Sequence, residues 1–102
     1  MFYVYVLYSE KRNRFYLGST KDLKRRVLQH KQGENRSTKH ASDWILSYYE
    51  AYLTEQGVKQ REARLKRSGK AYSSLKQRIR ESMTDPLSEG EASNRSPGKR
   101  RP

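Results

Sequence analysis

Arg26 and His30 stand one helical turn apart in a run reading Phe15-Tyr16-Leu17-Gly18-Ser19-Thr20-Lys21-Asp22-Leu23-Lys24-Arg25-Arg26-Val27-Leu28-Gln29-His30. With Leu23 and Val27 they share one face of a helix expected from about Lys21 to Lys31, stopping before Gly33. A guanidinium and an imidazole therefore border an apolar stripe, although Lys21, Lys24, Arg25 and Lys31 already supply charge on the other faces. Both project toward the end of the preceding strand, which carries Tyr16. A phenol, a guanidinium and an imidazole meeting at a strand's end suit a phosphate group.

Glu62 is the second anomaly. In the run Glu55 to Arg67 the helical face defined by Val58 and Leu65 also contains Glu62, and it is the sole acid between Val58 and Arg67. A carboxylate on an inward stripe is costly unless it is paired or binds a metal.

The bulk composition narrows the partner. Lys and Arg number 23 against 11 Asp and Glu, a formal charge of +12 in 102 residues. The charge is spread over the fold, since residues 1–83 hold 19 basic and 8 acidic side chains. A polyanionic partner follows, with nucleic acid first. No cysteine is present and only His30 and His40 could serve as imidazole ligands, so disulfides and thiolate metal sites are excluded and a histidine-rich zinc site is disfavoured. A hard cation held by oxygen ligands stays open. The N-terminal Met-Phe-Tyr-Val-Tyr-Val-Leu-Tyr is too short to span a bilayer and reads as a strand, so a cytoplasmic protein without a membrane partner is expected.

The elements that must position these residues are legible in outline. Phe2 to Tyr8 is dense in Val, Tyr and Leu, as in a strand buried on both faces. Ser9 to Asn13 reads as a turn, with Asn13 suited to the left-handed conformation, leading into a strand from Arg14 to Leu17 that Gly18 breaks. Ser19 or Thr20 is the expected N-cap of the first helix, with Asp22 in its first turn. Gly33 to Asp43 reads as an exposed loop whose Arg36, Lys39 and His40 could touch a phosphate backbone. Trp44 to Tyr52 is the expected third strand, with Trp44 and Tyr48 in the core. Thr54 caps a helix from Glu55 to Arg67, and after a break at Ser68-Gly69-Lys70 the spacing of Tyr72, Leu75 and Ile79 predicts a third helix to about Met83 that closes the core. The fold class is α+β, a small, mostly antiparallel three-stranded sheet flanked by helices in the order β-β-α-β-α-α. One domain over 1–83 and a disordered basic tail over 84–102 complete the expected organisation.

This order, together with the residues themselves, resembles the GIY-YIG nuclease domain over roughly residues 2–80. Tyr3-Val4-Tyr5 stands at the first motif and Tyr16-Leu17-Gly18 at the second, with Arg26 ten residues beyond Tyr16 and His30 four beyond Arg26. Glu62 matches the family's metal-binding glutamate. The chain looks most like the small stand-alone bacterial members, which are similar to the N-terminal nuclease domain of the excision-repair protein UvrC. Tyr3 occupies the position of the first motif's glycine, and Ser73, Ser74 and Gln77 occupy the region where larger members often carry an asparagine.

The resemblance implies a metal-dependent DNA endonuclease that nicks DNA or cuts it by structure, with low sequence specificity. Glu62 would hold one Mg²⁺ or Mn²⁺, Arg26 would clamp the non-bridging phosphate oxygens, and Tyr5 or Tyr16, assisted by His30, would orient or deprotonate the attacking water. Products would carry a 5′-phosphate and a 3′-hydroxyl. The expected partner is DNA, with RNA as the alternative substrate and a protein partner for targeting; no small-molecule cofactor is implied. Each residue has an ordinary explanation: Tyr5 and Tyr16 as rim tyrosines, Arg26 as a snorkelling side chain, His30 as a charge at a helix C-terminus, Glu62 as an ion-pair partner of Arg26, Arg61 or Arg64. Their joint spacing outweighs these. The competing reading is a non-catalytic nucleic-acid-binding module that keeps the fold and the charge, and the two departures from the family's pattern are its support.

Overall fold

The computed structural model of the protein describes residues 1–83, and the expected basic tail over 84–102 lies outside the described residues. The elements run β1 (Phe2–Ser9), β2 (Arg14–Thr20), α1 (Leu23–Lys31), β3 (Ile45–Tyr52), α2 (Glu55–Arg67) and α3 (Gly69–Met83), the α+β order expected from sequence. Two compact units divide the chain after Tyr72. The first holds the sheet, α1 and α2. The second begins inside α3, whose buried residues are Leu75 and Ile79. Among the described residues no helix is long and apolar enough to cross a membrane.

β1 is the middle strand of a three-stranded sheet ordered β2-β1-β3, antiparallel to both neighbours. Its central position explains the unbroken run of buried residues from Val4 to Leu7, because helices cover both of its faces. Asn13 makes the turn into β2 with φ 51°, the left-handed conformation its short amide side chain tolerates. The Asp43 carboxylate then pins that turn, accepting from Ser9 Oγ at 2.6 Å and from the Lys11 amide at 3.0 Å.

Three local expectations are corrected. Gly18 does not end β2; the strand continues to Thr20, with Gly18 paired to Tyr5. Neither Ser19 nor Thr20 caps α1. Asp22 does, accepting from the Arg25 amide at 3.1 Å, so α1 starts at Leu23, two residues later than expected. The tertiary demand that β2 pair with β1 over seven residues overrides the turn preference of a Gly-Ser-Thr run. Gly69 and Lys70 likewise lie inside α3, and the break is Ser68 alone: its backbone N–H closes α2 onto the Arg64 carbonyl while its Oγ accepts from the Ala71 amide. The boundaries of α2 and its Thr54 cap are as expected.

Side chains alternate across the sheet. On one face Tyr5, Leu7 and Trp44 form a core against which Tyr16, Leu23, Val27 and Ala41 pack, so α1 lies here. On the other face Val4 is flanked by Ser19 of β2 and Glu50 of β3. Here α2 packs, contacting all three strands through a face that buries Val58 and Leu65. Tyr48, expected in the core, is only half-buried and donates its hydroxyl to Glu50. Tyr52 donates to the same carboxylate, and Arg61 grips it with two parallel bonds of 2.9 Å. A largely buried acid in β3 is thus neutralised by α2, which fixes that helix's rotation over the sheet.

The Glu50 carboxyl is pushed up by burial but held below its usual range by the stronger combined pull of Arg61, Tyr48 and Tyr52. Its stabilising contribution is therefore present above the ordinary carboxylate pKa and lost as pH falls through the lower folded value. Replacing Arg61 by Ala strands a largely buried carboxylate and is expected to cost about 2 kcal/mol by urea denaturation at neutral pH. Arg61→Lys should recover only part of this, because one ammonium cannot reproduce the two-pronged grip.

Candidate active site

The Tyr5 side chain lies directly over Gly18, its partner across the β1–β2 ladder. A Cβ built on Gly18 would come within 2.6 Å of the Tyr5 hydroxyl oxygen, 2.8 Å of Cζ and 3.1 Å of the Tyr16 ring. Only a residue without a side chain permits this approach, so Gly18 is required by contact and not by a turn. The second tyrosine projects from the same face of β2, two residues away, its ring 6.3 Å from that of Tyr5.

His30 comes down on both rings from the last turn of α1. It is fully buried, with its centroid 4.8 Å from Tyr16 and 5.8 Å from Tyr5. Its Nε2 is 2.9 Å from the Tyr5 hydroxyl and its Nδ1 is 2.7 Å from Thr38 Oγ1. Thr38 Oγ1 also faces the Asn35 carbonyl at 3.4 Å and can only donate there. The network therefore assigns the Nδ1–H tautomer, with His30 donating to Thr38 and Nε2 accepting from the Tyr5 phenol. Burial first, and the Arg26 charge second, push the His30 pKa below its ordinary 6.5, so the neutral imidazole that this arrangement needs is the favoured form.

Arg26, one turn before His30, presents its guanidinium to the Tyr5 hydroxyl. Burial, and after it the neighbouring Tyr16, raise the Tyr5 pKa; Arg26 opposes through its charge and a hydrogen bond, and the Glu62 carboxylate adds a smaller upward push. The net shift is upward, so the resting phenol keeps its proton. Glu62 reaches this edge of the sheet from the α2 side, where its Oε1 accepts from Ser19 Oγ at 2.7 Å. Its ion-pair partner is Lys66, at 3.0 Å from Oε2, and not Arg26, Arg61 or Arg64. Tyr5, Tyr16, Arg26 and His30 thus gather on the α1 side of the sheet beside Gly18, while Glu62 is held at the next residue, Ser19, from the α2 side.

Glu62 suits a hard divalent cation in one respect. It is a largely buried carboxylate whose one ion-pair partner among the described residues is a Lys66 side chain 58% exposed. Among the described residues no cluster of three or more His, Cys, Asp or Glu exists. A cation here would have one protein carboxylate and complete its shell with water and substrate oxygens, as Mg²⁺ commonly does.

Two residues that sequence reasoning passed over belong to this site. Thr38 lies in the segment expected to be an exposed loop, yet it is fully buried; its carbonyl accepts from Trp44 Nε1 at 2.8 Å while its hydroxyl fixes the His30 tautomer. Ser19, read as an N-cap, orients Glu62 instead. The usable signal for Ser19 was the alternation of β2, had the strand been extended through Gly18; Thr38 carried none. Lys39 and His40 stay exposed, as expected of that loop.

A family profile described as the GIY-YIG catalytic domain matches residues 1–77. No curated protein and no solved structure matches significantly.

Gly18→Ala is expected to destabilise the fold by about 1–3 kcal/mol, since a rigid buried ring must move. In the variant the Tyr5–His30 bond should be lost, visible as a changed imidazole resonance by NMR. Because His30 takes a proton less readily folded than unfolded, stability should be full above the ordinary pKa of about 6.5 and fall as pH drops below it. Urea midpoints between pH 8 and pH 5 check this, and His30→Gln should flatten that slope.

Proposed function

The chain belongs to the GIY-YIG family of nucleases, and from that premise we propose that it is a divalent-metal-dependent DNA endonuclease, nicking or structure-directed, with little sequence specificity of its own. The observation that carries the reading is the buried Tyr5–His30 hydrogen bond, flanked by Arg26 and placed at the edge that Glu62 also reaches. A neutral imidazole accepting from a protonated phenol is a proton path with its acceptor already in position.

In the proposed reaction Arg26 holds the non-bridging oxygens of the scissile phosphate and Tyr16 orients the attacking water. The water's proton passes to the Tyr5 oxygen as the phenol's own proton passes to His30 Nε2. His30 ends the step as an imidazolium, whose Nδ1–H stays anchored on Thr38. Tyr5 never has to exist as a free phenolate, which its burial disfavours. The extra positive charge beside Arg26 is balanced by the negative charge that develops on the phosphate. Glu62, oriented by Ser19, would hold Mg²⁺ or Mn²⁺, whose charge would be available to the phosphate and the leaving 3′-oxygen. With no appended module in residues 1–83 to read bases, DNA shape or a partner protein would choose the substrate.

Plasmid nicking with and without EDTA tests the reading. Wild type should nick only with free divalent metal, while Glu62→Ala and Arg26→Ala should lose about 10²–10³-fold or more in rate. Both variants should fold and keep salt-sensitive DNA binding. Wild type that binds DNA in a salt-sensitive way without ever cutting, with metal or with EDTA, would support the binding-module alternative instead, and nicking that ignores chelation and both substitutions would overturn the assigned site.

A further inference from the structure

We infer that the groove on the far flank of α1 is a stacking site for an unpaired nucleobase, which makes nucleic acid with a single-stranded stretch beside the cut the substrate class. This rests on the nuclease reading of the site across the helix.

α1 divides two surfaces. Leu23 and Val27 face the sheet; at 100° per residue Arg26 and His30 fall to one side of them, toward β2, and Lys24 falls to the other, toward β3. On the β3 side lies a groove of about 700 Å³, within the size range of ligand sites. It is lined by Tyr3, Tyr49 and Leu46 from the sheet and by Leu23 and Val27 from α1, with Lys24 beside it and Lys21, whose ammonium lies 5.9 Å from the Phe2 ring centroid, at its end. Tyr49 lines the groove, is 54% exposed and meets Tyr3 edge to face, the centroids 5.9 Å apart.

An aromatic slot with a cationic rim fits a flat heterocycle attached to a phosphate. The one acid lining the groove among the described residues, Asp22, has its carboxylate committed to capping α1, and Lys21 and Lys24 are both exposed. A second copy of this chain is a poor occupant, because each copy carries +12. Bases within a duplex have both faces stacked and cannot enter. A strand held at Arg26 would reach the groove by passing the N-terminal end of α1, across one helix diameter of roughly 10 Å.

Binding measured in EDTA tests this without any need for cleavage. Fluorescence anisotropy would compare a labelled thymidine oligonucleotide with a blunt duplex of equal length. Tyr49→Ala is expected to weaken single-strand binding roughly tenfold and leave duplex binding unchanged. Tyr49→Trp should restore affinity and show indole quenching on binding beyond that of Trp44. Lys21→Gln with Lys24→Gln should weaken both ligands and lower the salt slope. Equal effects of Tyr49→Ala on both ligands, or none on either, would overturn the assignment. Tyr49-dependent binding without nicking would fail only the nuclease reading, and nicking without Tyr49-dependent binding would fail only this one.

Discussion

The Tyr5 phenol is trapped between the bare backbone of Gly18 and the buried imidazole of His30, and the geometry of the site depends on that contact. A polar hydroxyl this deep must be hydrogen-bonded, and His30 is the partner that satisfies it. His30 in turn must be satisfied at its other nitrogen, which draws Thr38 inward and with it the segment between α1 and β3. Trp44 closes the set by donating to the Thr38 carbonyl. Burial makes each of these bonds obligatory, so strand, helix and loop hold one another in register.

The opposite face solves a related problem with charge. Glu50 sits beside Val4 on the α2 side of the sheet, where an unpaired carboxylate would be costly, and Arg61 with two tyrosine hydroxyls saturates it. The pair does more than neutralise itself. Because Arg61 and Glu62 are adjacent on α2, anchoring the first to β3 turns the second toward Ser19 at the other edge of the sheet. An ion pair on one edge thereby sets the direction of a carboxylate on the other.

α1 separates two chemistries. Its β2 flank places Arg26 and His30 against buried polar groups, while its β3 flank presents lysines around exposed tyrosine and leucine. The exposed aromatic surface of Tyr49, in edge-to-face contact with Tyr3, falls on that second flank.

From residue order alone came the type of every element, the limits of α2 and its Thr54 cap, the left-handed Asn13, the pairing of Arg26 with His30 on one helical face, and the oddity of Glu62. These are local properties, set by steric preference and by repeat period within about a dozen residues. The role of Gly18, the shift of the cap to Asp22, the burial of Thr38, the grip of Arg61 on Glu50 and the hold of Ser19 on Glu62 were decided by the tertiary structure. Each joins residues that become neighbours only through strand register or helix docking, and hydrogen bonds and ion pairs between them leave no periodic trace along the chain.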